Sequence, residues 1–226
     1  MKRALIFAAL LTLGGLQVSQ VCAQTAKDLA KERRTISRLS EQELNSRATK
    51  AARQEAKRLK KDGWLVSPGA LPMDKQLDRV YKMQFEYDDN AFPKYLMGEA
   101  MSTGQNYDAA KVQALELAKL NLAGQVQTEI TALVENTVSN SQLDAGEASS
   151  IVETVNASKN VISQSLGRVI PVMECYRKTR NGNTEVLVRI AYNSQMAINA
   201  AKNAVKQSLE EKGNNLHEQL DKALGL

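Results

Sequence analysis

Apolar positions recur at helical spacing along most of this chain and switch to strict alternation only in a short stretch of its last third. From Lys27 to Asp62 there is neither Gly nor Pro, and Leu29, Ile36, Leu39, Leu44, Ala48, Ala52, Ala56 and Leu59 form a narrow stripe at steps of three, four, five or seven. These residues are expected to form one helix of about 54 Å, ended by Gly63 and packed against a single neighbour. Trp64 to Gly69 reads as a turn or a short extended piece, and Leu71 to Tyr87 as a second helix starting near Pro72, a residue favoured in a first turn. Asp88-Asp89-Asn90-Ala91-Phe92-Pro93 breaks it, so residues 24–90 read as a basic helical arm or hairpin, with a domain boundary at that turn.

Lys94 to Thr103 reads as a strand between Pro93 and Gly104, in which Gly98 marks a bulge or a close backbone approach. The strongest helix spans Ala109 to Val138, after the caps Asn106 and Asp108, with Val112, Leu115, Leu122, Val126, Ile130 and Leu133 on one face. A loop around Leu143-Asp144-Ala145-Gly146 leads to a helix over Glu147 to Leu166, carrying Ile151, Val155, Ile162 and Leu166 and ended by Gly167. The period then changes. Val169 to Lys178 and Thr184 to Tyr192 read as strands joined by Arg180-Asn181-Gly182-Asn183, where Asn-Gly is a strong hairpin signal. In the second strand Val186, Val188, Ile190 and Tyr192 share one face, and Leu187, Arg189 and Ala191 the other. Asn193-Ser194 caps a helix over Met196 to Leu209, and residues 210–226 form a polar tail. Strand, two helices, hairpin, helix is an α+β order: helices packed on a small antiparallel sheet over residues 91–209, with a long N-terminal helical arm.

The start of the chain speaks to location. Met1-Lys2-Arg3 is a basic head, and Ala4 to Leu16 is an apolar run too short for a comfortable membrane span. Val21 and Ala23 fit the small pockets of a signal peptidase, so residues 1–23 are expected to be a signal peptide cleaved before Gln24. The protein is then exported, to the periplasm or in association with the outer membrane. The alternative is a lipid anchor at Cys22, although Val21 stands where Gly or Ala normally precedes such a cysteine. Without residues 1–23 the net charge falls from +5 to +3 and Cys175 is the sole thiol, which is expected to be buried or kept reduced.

Composition narrows the chemistry. With only 4% aromatic residues, the core must be built mainly from Leu, Val, Ile, Ala and Met. One His (His217) and two Cys (Cys22 and Cys175) exclude a His-rich or Cys-rich metal site and a disulfide scaffold, so neither metal nor cofactor is expected. Gly98 to Gly104 looks superficially like a phosphate loop, but its glycine spacing is one residue too long and Gln105-Asn106 replace the Lys and Ser or Thr that touch phosphate and magnesium. Cys175 and His217 fall in a strand and a terminal tail, so a thiolate pair is not expected. Asp88-Asp89 and Glu210-Glu211 are neighbours that point apart and make poor acid/base pairs. Between residues 27 and 62 twelve basic residues face six acidic ones, a local charge of +6. No aromatic interleaves that run before Trp64, which argues against nucleic acid.

Gly98 in a strand, Ala109-Ala110, Ala114, Ala118 and Asn121-Leu122-Ala123 on a helix, then a hairpin with Tyr176 and Val186-Leu187-Val188, together resemble the Lpp-twenty lipoprotein family over residues 94–205. That family's domain is similar to the N-terminal domain of a flagellar ring assembly protein. The resemblance implies an α+β domain resident in the cell envelope, with no catalytic residues to carry over. The arm from Lys27 to Asp62 falls outside it.

The sequence thus points to a non-enzymatic, exported structural or interaction module. In this reading Arg33, Arg34, Arg47, Arg53, Lys57, Arg58, Lys60 and Lys61 face an envelope protein or an anionic membrane surface, and a second copy of the chain is an admissible partner. The bland reading of the same charges is a solvated helix face with Glu and Lys or Arg neighbours at helical spacing. The alternative function is a binding module for a small or polymeric envelope ligand, held between arm and sheet near Trp64, Tyr81, Tyr87 and Tyr95. The bland reading of those rings is packing.

Overall fold

The computed structural model describes residues 27–35, 37–39, 41–42, 45–139, 145–211 and 220. The expected signal segment with Cys22, stripe positions Ile36 and Leu44, loop residues Leu143-Asp144, His217 and most of the expected tail lie outside them. Two units result, Met1–Arg47 and Ala48–Leu226. In the first, residues 27–35, 37–39 and 41–42 are helical (α1), and all of them are exposed, Leu29 and Leu39 included. No helix among the described residues is long and apolar enough to cross a membrane.

The second unit begins with a correction to the single helix expected over residues 27–62. Residues 46–49 are not helical. Thr49, at φ −57° and ψ 158°, caps a new helix, α2 (Lys50–Lys61), its side chain accepting from the Ala52 N–H. Its own N–H, which a continuous helix would spend on the residue four back, donates instead to Asp78 Oδ1 at 2.9 Å. Asp78 lies on α3 (Met73–Gln84), which Pro72 caps as its position suggested.

The elements that follow are β1 (Tyr95–Gly104), α4 (Tyr107–Ser139), α5 (Ala145–Ala157), α6 (Lys159–Ser165), β2 (Ile170–Lys178), β3 (Thr184–Asn193) and α7 (Ser194–Glu211). The fold is α+β, as expected. The antiparallel sheet runs β1-β3-β2, so the last strand in sequence is central. Gly182 adopts φ +82° in the turn joining β2 to β3, a conformation Gly accepts freely. At the start of α7 the Asn193 side chain accepts from the Met196 N–H at 3.0 Å, confirming that cap.

Both faces of the sheet are covered. Val186, Val188, Ile190 and Tyr192 of β3 enter a core with α4, α5, α6 and α7, while Leu187 and Ala191 enter a second core with α2 and α3. The alternation read from the sequence is therefore the alternation between two cores. A register shift between Pro171 and Met173 turns both Val172 and Met173 into the second core. The stretch expected as an arm outside the domain is thus divided: from Ala48 onward, α2 and α3 are a layer of the domain, because Ala52, Ala56, Leu77 and Val80 need the sheet to leave water.

Two helix readings also change. Along α4 the inward residues are Ala110, Ala114, Ala118, Leu122, Val126, Ile130 and Val134, whereas Val112 is 63% exposed and Leu115 and Leu133 are half-buried. Contact through alanine lets the helix lie close to the sheet: a Cβ on Gly98 would sit 2.5 Å from the Ala118 carbonyl oxygen. Gly98 thus marks a close approach, one of its two expected meanings. The helix expected from Glu147 to Leu166 breaks at Ser158, whose hydroxyl bonds the Thr154 carbonyl at 2.7 Å. Along the outer edge of β1, Asn121 and Gln125 of α4 donate to the Glu99 and Met97 carbonyls, each at 2.8 Å, so part of that edge is spoken for.

Candidate functional site

A polar cluster lines an open cleft of about 550 Å³ between the 67–71 turn, α3, the start of α4 and β2. Gly69 at φ +82° allows the turn, closed by Ala70 N–H on the Ser67 carbonyl at 3.0 Å. Glu174 of β2 sits at its centre. It accepts from the Tyr107 hydroxyl, and Lys111 Nζ lies 2.9 Å from its Oε2. Ser67 Oγ is 2.6 Å from the Tyr107 hydroxyl, and the Glu174 N–H donates to Gln76 Oε1 at 2.7 Å. Burial, with the Glu174 bond added, pushes the Tyr107 hydroxyl above its ordinary pKa. The bond to Glu174 likewise raises Lys111. A tyrosine kept protonated and a lysine kept charged are not bases at neutral pH. The cluster clamps the turn and the first turn of α4 to β2. Sequence reasoning missed it because its members come from four separate elements; the one signal was Glu174 in an otherwise β-rich apolar run.

A second network lies on the α2/α3 side of the sheet. Arg189 of β3 pairs with Glu99 of β1 and lies 3.6 Å from Glu55 of α2. Glu55 in turn accepts from the Tyr81 hydroxyl, and that bond is the main reason the Tyr81 pKa is raised. Arg189, on the same strand face as Leu187 and Ala191, thereby enters the core side already paired.

The four aromatic residues expected to line one ligand groove do not meet. Trp64 is 5% exposed in the second core, under the Arg177 guanidinium at 4.6 Å from its ring. Tyr81 serves the Arg189 network. Tyr95 is half-buried against the second core, with Lys94 Nζ 5.7 Å from its ring. Tyr87 is exposed, pairs through its backbone with Pro93 and lines a different cleft. The reason is topological: Tyr81 and Tyr95 flank a loop, whereas Trp64 follows α2 and is held to β2 by the Leu65–Tyr176 pairing, at 2.7 and 2.8 Å.

The basic residues separate in the same way. Arg33, Arg34 and Arg47 belong to the first unit and are exposed. In the second, Arg53 is half-buried and donates to the Ala48 carbonyl, so it closes the start of α2 instead of facing outward. Lys57, Arg58, Lys60 and Lys61, with Lys50, are exposed and make no ion pair with any described residue. These residues form the solvated helix face of the bland reading, while Glu55, their neighbour at helical spacing, turns toward Arg189. Arg58, Lys60 and Lys61 occupy the last turn, where the helix dipole favours cations. The Arg177 guanidinium reaches the Asp62 carbonyl at 3.3 Å, which brings the β2 end with exposed Lys178 beside the end of α2.

Cys175 is fully buried in the second core, and burial pushes its thiol up to about 12. The Asp88 carboxylate accepts from the N–H groups of Asn90 and Phe92, both at 2.9 Å, and so forms a turn. Among the described residues no group of three or more His, Cys, Asp and Glu is placed to hold a metal ion. Compared with protein-family models, with curated proteins and with solved structures, the chain matches none.

Proposed function

We propose that this protein is an exported, non-enzymatic interaction module of the cell envelope that docks on an anionic membrane surface through the basic side of α2. The observation that carries the reading is the division of that helix. Ala52 and Ala56 face the core while Lys50, Lys57, Arg58, Lys60 and Lys61 stand exposed without acidic partners among the described residues. Such a surface holds its charges for something outside the domain. The basic head, apolar run and small residues of positions 1–23 support export, and the family resemblance over residues 94–205 points to the same compartment.

Sedimentation of the protein with vesicles tests this. Vesicles containing phosphatidylglycerol should carry it down and neutral phosphatidylcholine vesicles should not, with binding lost as salt shortens the screening length. Each basic residue at an anionic surface contributes about 1 kcal/mol, so K57E/K60E/K61E should weaken binding by at least a hundredfold. Equal binding of that variant would refute the role of α2. Loss of binding to lipid with retained capture by an acidic envelope protein would move the partner from lipid to protein.

A further inference from the structure

We propose that the cleft between the 87–94 loop, α4 and the start of α7 is a docking site for a basic segment of a partner protein, one of whose lysine or arginine side chains pairs with Glu129. The cleft has a volume of about 700 Å³, within the range of sites that enclose a ligand. Its walls are apolar where Leu96, Leu133, Ile198 and Pro93 meet. Glu129 of α4 stands among them, half-buried, with no hydrogen bond or ion pair to any described residue. Burial raises its pKa, the mark of a carboxylate whose charge has lost water and gained nothing in return. A cation brought in from outside supplies what the domain does not.

The other charges of the cleft leave that place open. Asp88 is spent on the N–H groups of Asn90 and Phe92, and Lys94 is committed to Glu86. Asp89, exposed at the rim, adds a second negative charge. Tyr87 and Phe92, 56% and 66% exposed, also line the cleft. Such rings suit a cation and the aliphatic stem that carries it.

The loop bearing these rings is anchored at several points. Asp88 N–H bonds the Phe92 carbonyl at 2.8 Å, Lys94 N–H the Glu86 carbonyl at 2.9 Å, and Ser194 N–H the Lys94 carbonyl at 3.0 Å. A loop held by its backbone, beside a carboxylate with no partner among the described residues, needs little ordering on binding. Two carboxylates, one inside and one at the rim, and a volume well above that of one amine favour a peptide with spaced cations and apolar residues between them. This surface is separate from the basic side of α2, so the two readings stand or fall independently.

Fluorescence anisotropy of a labelled acetyl-Leu-Lys-Leu-Lys-Leu-amide, titrated with the full chain, is the test. The expected result is saturable binding that weakens about tenfold in Glu129→Gln, the usual cost of losing one charge-assisted contact, and about threefold in Phe92→Ala. Replacement of the exposed Glu153 on α5 by Gln should leave binding unchanged. Neutralising a half-buried carboxylate with no partner among the described residues does not threaten folding, and a thermal melt of Glu129→Gln at or above the parent midpoint verifies it. The proposal is overturned by absence of binding at millimolar protein, by equal affinity for a norleucine-for-lysine peptide, or by equal affinity of Glu129→Gln. Hexylamine competing as strongly per mole as the peptide would also overturn it, by making the ligand a small amine.

Discussion

Replacing Gly98 by Ala is the sharpest test of the packing between β1 and α4. A glycine inside a strand is normally a weakness, and Ala would be expected to gain about 0.5–1 kcal/mol by restricting the unfolded chain. Here the added Cβ would lie 2.5 Å from the Ala118 carbonyl oxygen, 3.0 Å from Ile190 Cγ1 and 3.2 Å from Leu122 Cβ. Ordinary C···O contacts start at about 3.3 Å, so helix and strand must separate by about 0.8 Å. The obstacle is helix backbone, which cannot turn aside as a side-chain tip does, so the cost belongs near the ~3 kcal/mol upper end of overpacking. The net loss is about 2 kcal/mol, or a fall in Tm of about 4–8 °C for a domain of this size. Thermal unfolding followed by circular dichroism measures it. Gly124→Ala is the internal control: its Cβ would meet only the Lys159 Cε and Nζ at 3.3 Å, atoms free to move. It should raise Tm by a few degrees, since Ala gains about 0.5–1 kcal/mol over Gly in a helix. A Gly98→Ala protein as stable as the parent would refute the close approach.

Two further outcomes follow from buried groups. Burial alone would raise the Asp78 pKa, but the Thr49 backbone and side-chain hydrogen bonds and the Lys82 charge outweigh it, so the carboxyl is held below its ordinary value. A depressed folded pKa contributes stability above the unfolded value that is lost as pH falls through the folded one. Urea unfolding of Asp78→Ala should therefore show a loss of about 1–3 kcal/mol at neutral pH, from the Thr49 N–H left unpaired, and a flatter acid limb than the parent. An unchanged acid limb would contradict this. With Cys22 replaced by Ser, Cys175 should resist a disulfide-exchange reagent at pH 8 in the native state and react fully in denaturant, since its thiol is buried and pushed up to about 12. Rapid native labelling would show that the second core opens.

What could be read in advance depended on whether the physics was local. The two faces of β3 were legible because alternation is a property of neighbouring residues, and the Asn181-Gly182 turn because its geometry demands a residue tolerant of positive φ. The break before Lys50 was not, because the group that stabilises it, Asp78, lies 29 residues further on. The face of α4 is read correctly at Leu122, Val126 and Ile130, but its first turns follow the large residues: Val112 is exposed while Ala110, Ala114 and Ala118 make the contact. At the candidate sites, basic residue types were visible but not which were spent. Arg53 turns inward to the Ala48 carbonyl, and Trp64 is committed to the core. Only the fold decides whether a charge or a ring is left over for a partner.

The central place of β3 also sets an order of events. β1 ends at Gly104 and β2 at Lys178, yet the two never pair with each other; within the sheet each pairs with residues of β3. During synthesis about four-fifths of the chain exists before the strand that joins both edges appears. Until then α2 and α3 on one side, and α4, α5 and α6 on the other, have no common wall to close against. Closure of the sheet is thereby deferred to one late segment far in sequence from β1, a topology that slows folding. A nascent chain stopped before Thr184 would present two sets of half-made amphipathic helices instead of half a domain, the form that chaperones hold.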